Sequence, residues 1–556
     1  MSALERPDPR VPIHLQPGAL GENVAAVERA LRGAVFVRGR RLVTVGAAEG
    51  RARLQVLDKD ALRLAMAQRI VFTVALGARA GVRPVDPPWD LVTAVLASAG
   101  GGRLEELRGI ARGPVVCLDG RLATRPGYDA GTRLWIEAPG PAFGLPHALP
   151  RDAAQARRTQ EAAQEVPTRE TALHALPWEA GQDPRIGEAA PAQEVVPHAL
   201  TREAAEAARR TLAAAVASFP FVGEADRSVA LAAILTVIER PVLPAAPLLA
   251  FDAPTPGTGK SKLAAVVSRI ATGARAPVMS VSANAEETDK RLDAALLGSV
   301  ELVVLDNIEV QLGGDRLCSA LTEPTVSLRP LGRSEVVDVP VTAAFLATGN
   351  NLRLKGDIVR RAVIARLDAG VERPELRAFD TDAEVEAGRR RPALLRAALT
   401  ILSAYHAAGC PDLGLAPLGS FEAWDRMVRA PLVWAGAADP VATMDRLRSE
   451  DPVTGDLAEI LRLWHAAHGA QPVALAEVVR PAEAARDAFF DALDAVAGER
   501  GAINKRRLGR YLSRHKDRVL SGLRLCQAGT RSGSALWRVV DGKGDEGFGR
   551  DEIPSF

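Results

Sequence analysis

Residues 247–261 have the sequence PLLAFDAPTPGTGKS, and the interpretation of the whole chain starts from them. The apolar beginning, through Phe251, predicts a buried strand, and residues 262–272 predict a helix. Between the two, Gly257 and Gly259 let the backbone curl so that successive N–H groups point at one anion, next to the positive end of the helix dipole. A glycine-rich turn in this context, closed by Lys-Ser, predicts a phosphate-binding P-loop at 254–261.

The P-loop predicts ATP and Mg²⁺ as ligands. Lys260 is expected to span the β- and γ-phosphates, and the Ser261 hydroxyl is expected to bind Mg²⁺. The motif has a glycine where this chain has Pro254, but the positions that face phosphate are intact. The alternative is an ordinary glycine-rich turn before Lys-Ser. The predicted nucleotide contacts are Pro256, Gly257, Thr258, Gly259, Lys260, Ser261 and Lys262.

A carboxylate for the metal is predicted at the end of a second strand. The run Glu301-Leu-Val-Val-Leu-Asp306 is typical of a buried parallel strand with an acid at its carboxyl end. The alternative is an ordinary turn aspartate after a buried strand. Asn307 stands where many ATPases carry the glutamate that polarises water, so Glu309 is expected to substitute if the strand continues.

A third strand, predicted at 342–347, ends in Thr-Gly-Asn-Asn. Asn350, or failing that Asn351, is expected to orient the attacking water, unless this is an asparagine-rich turn chosen for its backbone geometry. The following GDIVRR segment contains Arg360 and Arg361. Either could act as an arginine finger in a neighbouring subunit, and the alternative is a solvated basic helix end.

The order of P-loop, VVLDN, FLATGNN and GDIVRR resembles the superfamily 3 helicases within the AAA+ ATPases. The resemblance covers about 170 residues and is strongest to the helicase part of phage and plasmid primase-helicases. It implies a homo-oligomer, a hexameric ring that translocates on single-stranded or forked DNA, in the replication of a mobile element. In that family a hairpin between the second and third strands contacts DNA in the pore. The matching interval, 326–337, makes Arg329 and Arg333 candidates, although the Lys-His pair of some viral members is absent.

The N-terminal region lacks the paired carboxylates that a primase needs to hold two metals. If the resemblance holds, a primase is either missing or supplied by a separate protein.

Near the other end, residues 500–525 contain nine Lys or Arg and one Asp. The pattern predicts an amphipathic helix with one strongly positive face, followed by a strand pair, which is the outline of a winged helix. The alternative is a solvated basic helix. The predicted DNA contacts are Lys505, Arg506, Arg507, Arg510, Arg514 and Lys516.

Composition limits the remaining possibilities. The net charge is only +2, so DNA affinity must come from local patches. Four scattered cysteines without a CxxC pair favour a reducing compartment over a zinc module. No segment has the uncharged apolar length of a membrane span, and no signal peptide is evident. A cytoplasmic protein with no membrane association is therefore expected.

The predicted fold class is an α/β P-loop NTPase core, similar to AAA+ and superfamily 3 proteins, with a small N-terminal α+β domain, a helical lid and a C-terminal winged-helix-like domain. Helical patterns at 20–31 and 60–79 belong to the N-terminal domain, and an Ala/Pro/Glu-rich linker with a local duplication follows it. The expected boundaries are 1–138 for the N-terminal domain, 139–200 for the linker, 201–370 for the ATPase domain, 371–480 for the helical region, 481–545 for the winged-helix-like domain and 546–556 for a tail.

The leading hypothesis is an ATP-dependent DNA helicase or translocase. Two rivals remain: an ATP-switched DNA-binding regulator or loader, which Asn307 favours, and a P-loop phosphotransferase unrelated to DNA. The basic C-terminal region argues against the phosphotransferase.

Overall fold

The computed structural model describes residues 10–76, 81–138, 200–330, 336–377, 381–444, 452–499, 501–531 and 533–541. The chain forms two compact units that divide between Thr443 and Met444. The predicted linker, except for its last residue, the predicted tail and Arg333 lie outside the described residues. No helix in the described ranges is both long enough and apolar enough to cross a membrane.

The first unit begins with a domain of mixed helices and strands. Its elements are β1 (Val11–His14), α1 (Leu20–Leu31), β2 (Val35–Arg38), β3 (Arg41–Ala48), β4 (Arg51–Val56), α2 (Lys59–Arg69), β5 (Ile70–Ala75), β6 (Val82–Val85), α3 (Trp89–Ala97), β7 (Gly109–Ala111), β8 (Val115–Val116), β9 (Leu122–Ala123), β10 (Gly127–Asp129) and β11 (Leu134–Ile136). The sheets are β1-β5-β6, β2-β3-β4, β10-β11-β7 and the pair β8-β9. Helices α1, α2 and α3 pack on one apolar core with β1 and β5.

The single helix predicted over 60–79 was wrong in its second half. Helix α2 ends at Arg69, and β5 begins at Ile70 and pairs in parallel with β1. The sequence Ile70-Val-Phe-Thr-Val is β-branched or aromatic at every position, which favours a strand once a partner strand is available. Ile70 and Phe72 are buried in the same core as Leu62 of α2.

The predicted ATPase domain and part of the predicted helical region complete the first unit. Their elements are α4 (Arg202–Ala215), α5 (Glu224–Glu239), β12 (Leu248–Ala253), α6 (Lys260–Thr272), β13 (Val278–Met279), α7 (Ala285–Leu297), β14 (Leu302–Ile308), α8 (Asp315–Thr322), β15 (Thr325–Leu328), β16 (Val337–Pro340), β17 (Ala344–Asn350), β18 (Ala362–Arg366), α9 (Ala383–Arg389) and α10 (Arg391–Ala407). Short helical turns occupy Gly356–Arg361, Pro374–Leu376, Glu422–Trp424, Asp425–Arg429 and Ala430–Trp434.

Five parallel strands form the central sheet, in the order β13-β14-β17-β12-β18. Every residue of β12 is buried, as expected for a parallel strand covered on both faces. The strand that ends in Asn350 lies between the P-loop strand and the strand that carries Asp306. The sheet is therefore an α/β core in which three functional strand ends are neighbours.

The second unit has its own core. Its elements are α11 (Pro452–His468), β19 (Val473–Ala474), α12 (Leu475–Ala485), α13 (Ala488–Ala497), β20 (Gly498–Glu499), β21 (Ala502–Ile503), α14 (Lys505–His515), β22 (Val519–Leu520), β23 (Leu523–Arg531) and β24 (Ser534–Asp541). The sheet order is β19-β24-β23-β22. Trp464 and Leu461 of α11 pack in one cluster with Phe489 and Trp537.

The boundary of this unit differs from the one expected at 481. Because α11 buries its apolar face against the C-terminal helices and sheet, it belongs with them and not with the helical region before it.

A carboxylate at the end of α5 generates a prediction about pH. Glu239 is completely buried, and its carboxylate accepts hydrogen bonds from the Val116 N–H at 3.1 and 3.2 Å. Burial raises the pKa of Glu239 to about 8. The folded state therefore holds this proton more tightly than the unfolded state. The stability that it contributes is present below the ordinary carboxyl pKa and is lost as pH rises through about 8.

We expect Glu239→Gln to gain stability relative to the wild type between pH 5 and 8, with a difference that grows by at most about 1.4 kcal/mol per pH unit. Thermal unfolding of both proteins across this range measures the difference. Glu224→Gln, at the exposed start of the same helix, is the matched control. A Glu239→Gln curve parallel to that of the wild type would show that the buried carboxyl does not titrate as described.

Candidate nucleotide-binding site

The P-loop lies between the buried strand β12 and helix α6. Gly257 and Gly259 have φ angles of 75° and 104°, in the region that favours glycine. A Cβ atom at Gly257 would lie 2.9 Å from the Cβ of Glu375, so a side chain there would also meet a steric barrier. Pro254 is accommodated at the start of the loop, where its carbonyl accepts a 3.4 Å hydrogen bond from Asn351 Nδ2. The loop thus has a P-loop backbone despite the departure at its first position.

Lys260 lies across the mouth of this loop and is only 8% exposed. Its Nζ donates to Asn350 Oδ1 at 2.6 Å and to the Thr255 carbonyl at 3.2 Å. Burial lowers the pKa of Lys260, while the nearby charges of Asp252 and Asp306 oppose that effect. The ammonium is held by neutral oxygen atoms, which leaves its charge available to an anionic ligand.

Ser261 and Asp306 form a second contact beside the loop. Ser261 Oγ donates to Asp306 Oδ1 at 2.7 Å, and Thr348 Oγ1 donates to the same oxygen at 2.5 Å. A hydroxyl and a carboxylate are oxygen ligands of the kind that Mg²⁺ prefers. In the described ranges, no three His, Cys, Asp or Glu side chains are grouped to hold a metal by themselves. A metal at this position would therefore complete its coordination with phosphate and water oxygens, as Mg²⁺ commonly does.

The structure separates the two asparagines after β17. Asn350 contacts Lys260, whereas Asn351 has a φ of 48° and its N–H donates to the Ala253 carbonyl at 3.0 Å. The side chain of Asn351 lies against the P-loop backbone. Of the two asparagines, Asn350 is therefore the one whose side chain contacts Lys260.

A bulge changes the geometry after Asp306. The pairing of β14 with β17 shifts register between Leu305 and Ile308, and Asn307 has a φ of 52°. The Asn307 N–H donates to Thr348 Oγ1 at 3.0 Å, and its Nδ2 donates to Glu309 Oε1 at 3.0 Å. The strand alternation that placed Glu309 on the same face as the metal carboxylate is therefore interrupted. Glu309 is exposed and lies against Asn307.

The two arginines before β18 have different environments. Arg361 donates to the Cys318 carbonyl at 2.6 Å and pairs with Asp357 at 2.6 Å, and its side chain is 13% exposed. It is thus committed to its own chain, which argues against a role for it in a neighbour's site. Arg360 is 54% exposed and pairs with the carboxylate of Asp357. Of the pair, only Arg360 can reach outward.

A cavity of about 380 Å³ adjoins the P-loop. Phe219, Gly259 and Asp382 are among the residues that line it. The Phe219 ring lies 3.4 Å from the position that a Cβ on Gly259 would take, and Lys262 pairs with Asp382 at 2.5 Å. The volume is within the range of small-ligand pockets, about 300–1,000 Å³. Lys262 therefore contacts the residue that caps α9 as well as the edge of the cavity.

Thr348, Phe219 and Asp382 were not among the site residues predicted from the sequence. Thr348 had a usable signal, because it is a polar residue near the end of the strand that carries Asn350. Phe219 and Asp382 lie far from the motif in sequence, and no local pattern distinguishes them.

Of the predicted DNA contacts, Arg329 is exposed at the end of β15, and all six basic residues at 505–516 are exposed.

Comparisons with known proteins give structural likenesses only. No protein-family model and no curated protein matches the chain. Similar solved structures include the C-terminal region of NrS-1, at 12% identity over 60% of this chain and 76% of that one, with a TM-score of 0.33. The SCCmec type IV Cch active helicase is similar at 10% identity over 92% of each chain, with a TM-score of 0.35. The JCV helicase is similar at 15% identity over 48% of this chain and 73% of that one, with a TM-score of 0.21.

Two of these solved structures, the Cch protein and the JCV protein, are helicases. At these identities and TM-scores, the likeness carries no information about activity.

Thr348 offers a test of the metal site. Replacing it by Val removes the hydroxyl that joins Asp306 to the Asn307 N–H but keeps the volume, whereas Thr348→Ser keeps the hydroxyl. Partners of metal ligands typically contribute about 10–100-fold to metal affinity or activity. We expect a loss of this size in Mg²⁺-dependent nucleotide hydrolysis for Thr348→Val and a much smaller loss for Thr348→Ser, measured by Mg²⁺ titration of the steady-state rate. Equal rates for the two variants would contradict the role assigned to the hydroxyl.

Proposed function

We propose that this chain is an ATP-dependent DNA helicase or translocase of a phage- or plasmid-type replication system. The observation that carries the proposal is the meeting of three neighbouring strand ends at one loop, where Lys260 contacts Asn350 and Ser261 contacts Asp306. An ammonium, an amide, a hydroxyl and a carboxylate at the N-terminus of a helix are the groups that a magnesium-bound triphosphate requires.

Each side chain has a proposed part in hydrolysis. Lys260 neutralises charge on the terminal phosphates, and Ser261 and Asp306 hold Mg²⁺, which offsets the charge that develops on the leaving phosphate. Asn350 turns its amide towards the attacking water. Asn307 cannot accept a proton, so Glu309, bonded to Asn307 Nδ2, is the acid proposed to receive it. The cavity beside Phe219 is proposed to hold the base and ribose.

Assembly into a homo-oligomer, a hexameric ring by resemblance, is also proposed. In the oligomer, Arg360 would leave its ion pair with Asp357 and would contact the terminal phosphate bound in a neighbouring subunit. The contacts of Arg361 with α8 fix the short turn from which Arg360 extends.

DNA binding is proposed at two basic surfaces. Arg329 lies at the end of β15, on the hairpin formed with β16. In the second unit, α14 exposes Arg506, Arg510 and Arg514 at intervals of four residues, which places them on one stripe. The β23–β24 hairpin follows this helix, and the arrangement supports a winged-helix-like module that contacts phosphates.

A separate primase is a proposed partner. The cytoplasm is the proposed location because all four cysteines are free thiols.

One observation favours a second candidate function. Asn307 replaces the acid that would activate water, and the register shift moves Glu309 out of strand alternation. A chain that binds ATP but turns it over slowly would serve as an ATP-switched regulator or loader on DNA, without unwinding.

The ATPase site is tested by Lys260→Ala. Loss of the ammonium removes the main charge that faces the terminal phosphates, and removal of one such group typically costs at least about 10²-fold in rate. We expect phosphate release to fall by at least this factor, while Lys290→Ala, an exposed lysine in an ion pair with Glu286, keeps the wild-type rate. Retention of hydrolysis by Lys260→Ala would refute the site.

The same assay with single-stranded DNA separates the candidate functions. Stimulation of the wild-type rate several-fold supports a translocase. Tight DNA binding without stimulation supports the regulator or loader, and absence of DNA binding at low salt supports a phosphotransferase.

The basic stripe on α14 is tested by salt dependence. Arg506 and Arg510 are exposed, and neither forms an ion pair with a described residue. If each contacts one phosphate of single-stranded DNA, Arg506→Gln/Arg510→Gln lowers the slope of log affinity against log salt by about 1.4. Fluorescence anisotropy across a salt series measures it. Arg462→Gln, an exposed arginine on α11, should leave the slope unchanged. An unchanged slope in the double variant would show that these arginines are solvated and do not contact DNA.

A further inference from the structure

A second cavity, of about 660 Å³, lies between the N-terminal domain and the ATPase domain within the first unit. One wall includes Arg108, Arg121 and Arg133, and the opposite wall includes Val242, Pro244 and Pro340. The segment 242–244 precedes β12, and Pro340 precedes β17. The cavity is therefore at the amino ends of these parallel strands, on the edge of the sheet opposite the P-loop.

The arginines that line this cavity are not equivalent. Arg121 makes a bidentate ion pair with Asp129 at 3.0 Å, and Arg133 pairs with Glu106. Arg108 is half-buried and forms neither an ion pair nor a side-chain hydrogen bond with any residue in the described ranges. Glu106 and Asp119 also line the cavity, but Glu106 is paired with Arg133, so its charge only partly offsets that of Arg108.

A second guanidinium lies directly behind the opposite wall. Arg240 is completely buried, and its Nη1 donates to the carbonyl of Leu243, between the two lining residues 242 and 244. Its Nε and Nη2 have no hydrogen-bond partner. Burial, and to a smaller extent the charge of Arg108, lowers the pKa of Arg240 to about 9, so the two cations act on one another.

A third buried guanidinium, Arg38, joins the same group. It donates to the Arg108 carbonyl at 3.1 Å and to the Pro340 carbonyl at 3.0 Å, which are both main-chain atoms of lining residues. Burial lowers its pKa to about 10. Arg108 thus lines the cavity, and behind its walls the buried side chains of Arg38 and Arg240 donate to main-chain carbonyls. Burying cations without countercharge is unfavourable, so such a group normally marks a site where an anion binds.

We propose that this cavity is a second ligand site, which binds the phosphate of a nucleotide, either free or within a DNA strand. Guanidinium groups bind phosphate through paired N–H donors, and Arg108 is the residue that reaches the ligand. The volume exceeds that of a bare phosphate and falls in the range of pockets that hold small organic ligands. Arg240 and Arg38 supply positive potential from behind the walls. This cavity is separate from the P-loop, so ligand binding there does not depend on nucleotide hydrolysis at Lys260.

The test uses the full chain with Lys260→Ala, so that the P-loop contributes as little as possible to phosphate binding. Inorganic phosphate, dTMP and a six-residue oligothymidine are titrated calorimetrically into this protein and into its Arg108→Gln derivative. We expect at least one of the probes to bind and its affinity to fall at least about tenfold in the derivative, since a hydrogen bond to a charged group typically contributes this much. Arg125→Gln, an exposed arginine between β9 and β10, is the matched control and should bind as the parent does.

The probes identify the source of the phosphate. If dTMP and the oligomer bind with equal affinity, the ligand of this cavity is a free nucleotide. If the oligomer binds more tightly, the ligand is a DNA strand. Absence of binding by all three probes, or equal affinity in Arg108→Gln and Arg125→Gln, overturns the proposal.

Thermal unfolding without phosphate distinguishes loss of the site from loss of the fold. Because Arg108→Gln removes repulsion with Arg240, its melting temperature should equal or exceed that of the parent. A lower melting temperature together with weaker binding would assign Arg108 a structural role and would also overturn the proposal.

Discussion

The parallel pairing of β17 between β12 and β14 is the constraint on which the site depends. Ala253 is paired with Asn350, and Leu305 with Ala347, so the P-loop, the amide and the carboxylate emerge at the same edge of the sheet. Parallel strands place their carboxyl ends together, and helix α6 then begins directly at that edge. Without this order of strands, Lys260 could not contact Asn350 and Ser261 could not contact Asp306. The apolar sequences of these strands are therefore as necessary to the site as its polar residues.

The central part of this arrangement was predictable from the sequence for a physical reason. A buried parallel strand needs an apolar run, and a functional side chain at its end appears as a polar residue directly after that run. Asp306 satisfies this rule directly, Asn350 follows its apolar run after two residues, and Lys260 is placed by the glycine-rich turn and the start of the helix. The structure brings the three together. These three positions could be predicted without side-chain coordinates, because the strand ends and the glycine-rich turn locate them in the sequence to within one residue.

Other features depend on tertiary contacts that leave no local pattern. The bulge at Asn307 is fixed by a hydrogen bond to Thr348 on another strand, so the position of Glu309 could not follow from strand alternation. Arg361 is distinguished from Arg360 only by its contact with α8. The same holds for β5, whose residues form a strand because β1 lies alongside. In each case the deciding partner is distant in sequence.

The N-terminal domain, for which the sequence suggested no role, contacts the two elements that carry Lys260 and Asp306. Helix α6 begins at Lys260 and ends at Thr272, whose carbonyl accepts a 2.6 Å hydrogen bond from Arg51. Strand β14 ends near Asp306, and Glu301, just before its start, pairs with Arg112. Helix α6 and strand β14 are thus each bonded to the N-terminal domain at the end remote from Lys260 and Asp306. Since a helix and a central strand are stiff along their axes, a displacement at the end that carries Lys260 or Asp306 must be taken up by these contacts or by bending of the element itself. The contacts of Arg51 and Arg112 therefore restrain the positions of Lys260 and Asp306, although they lie at the opposite ends of α6 and β14.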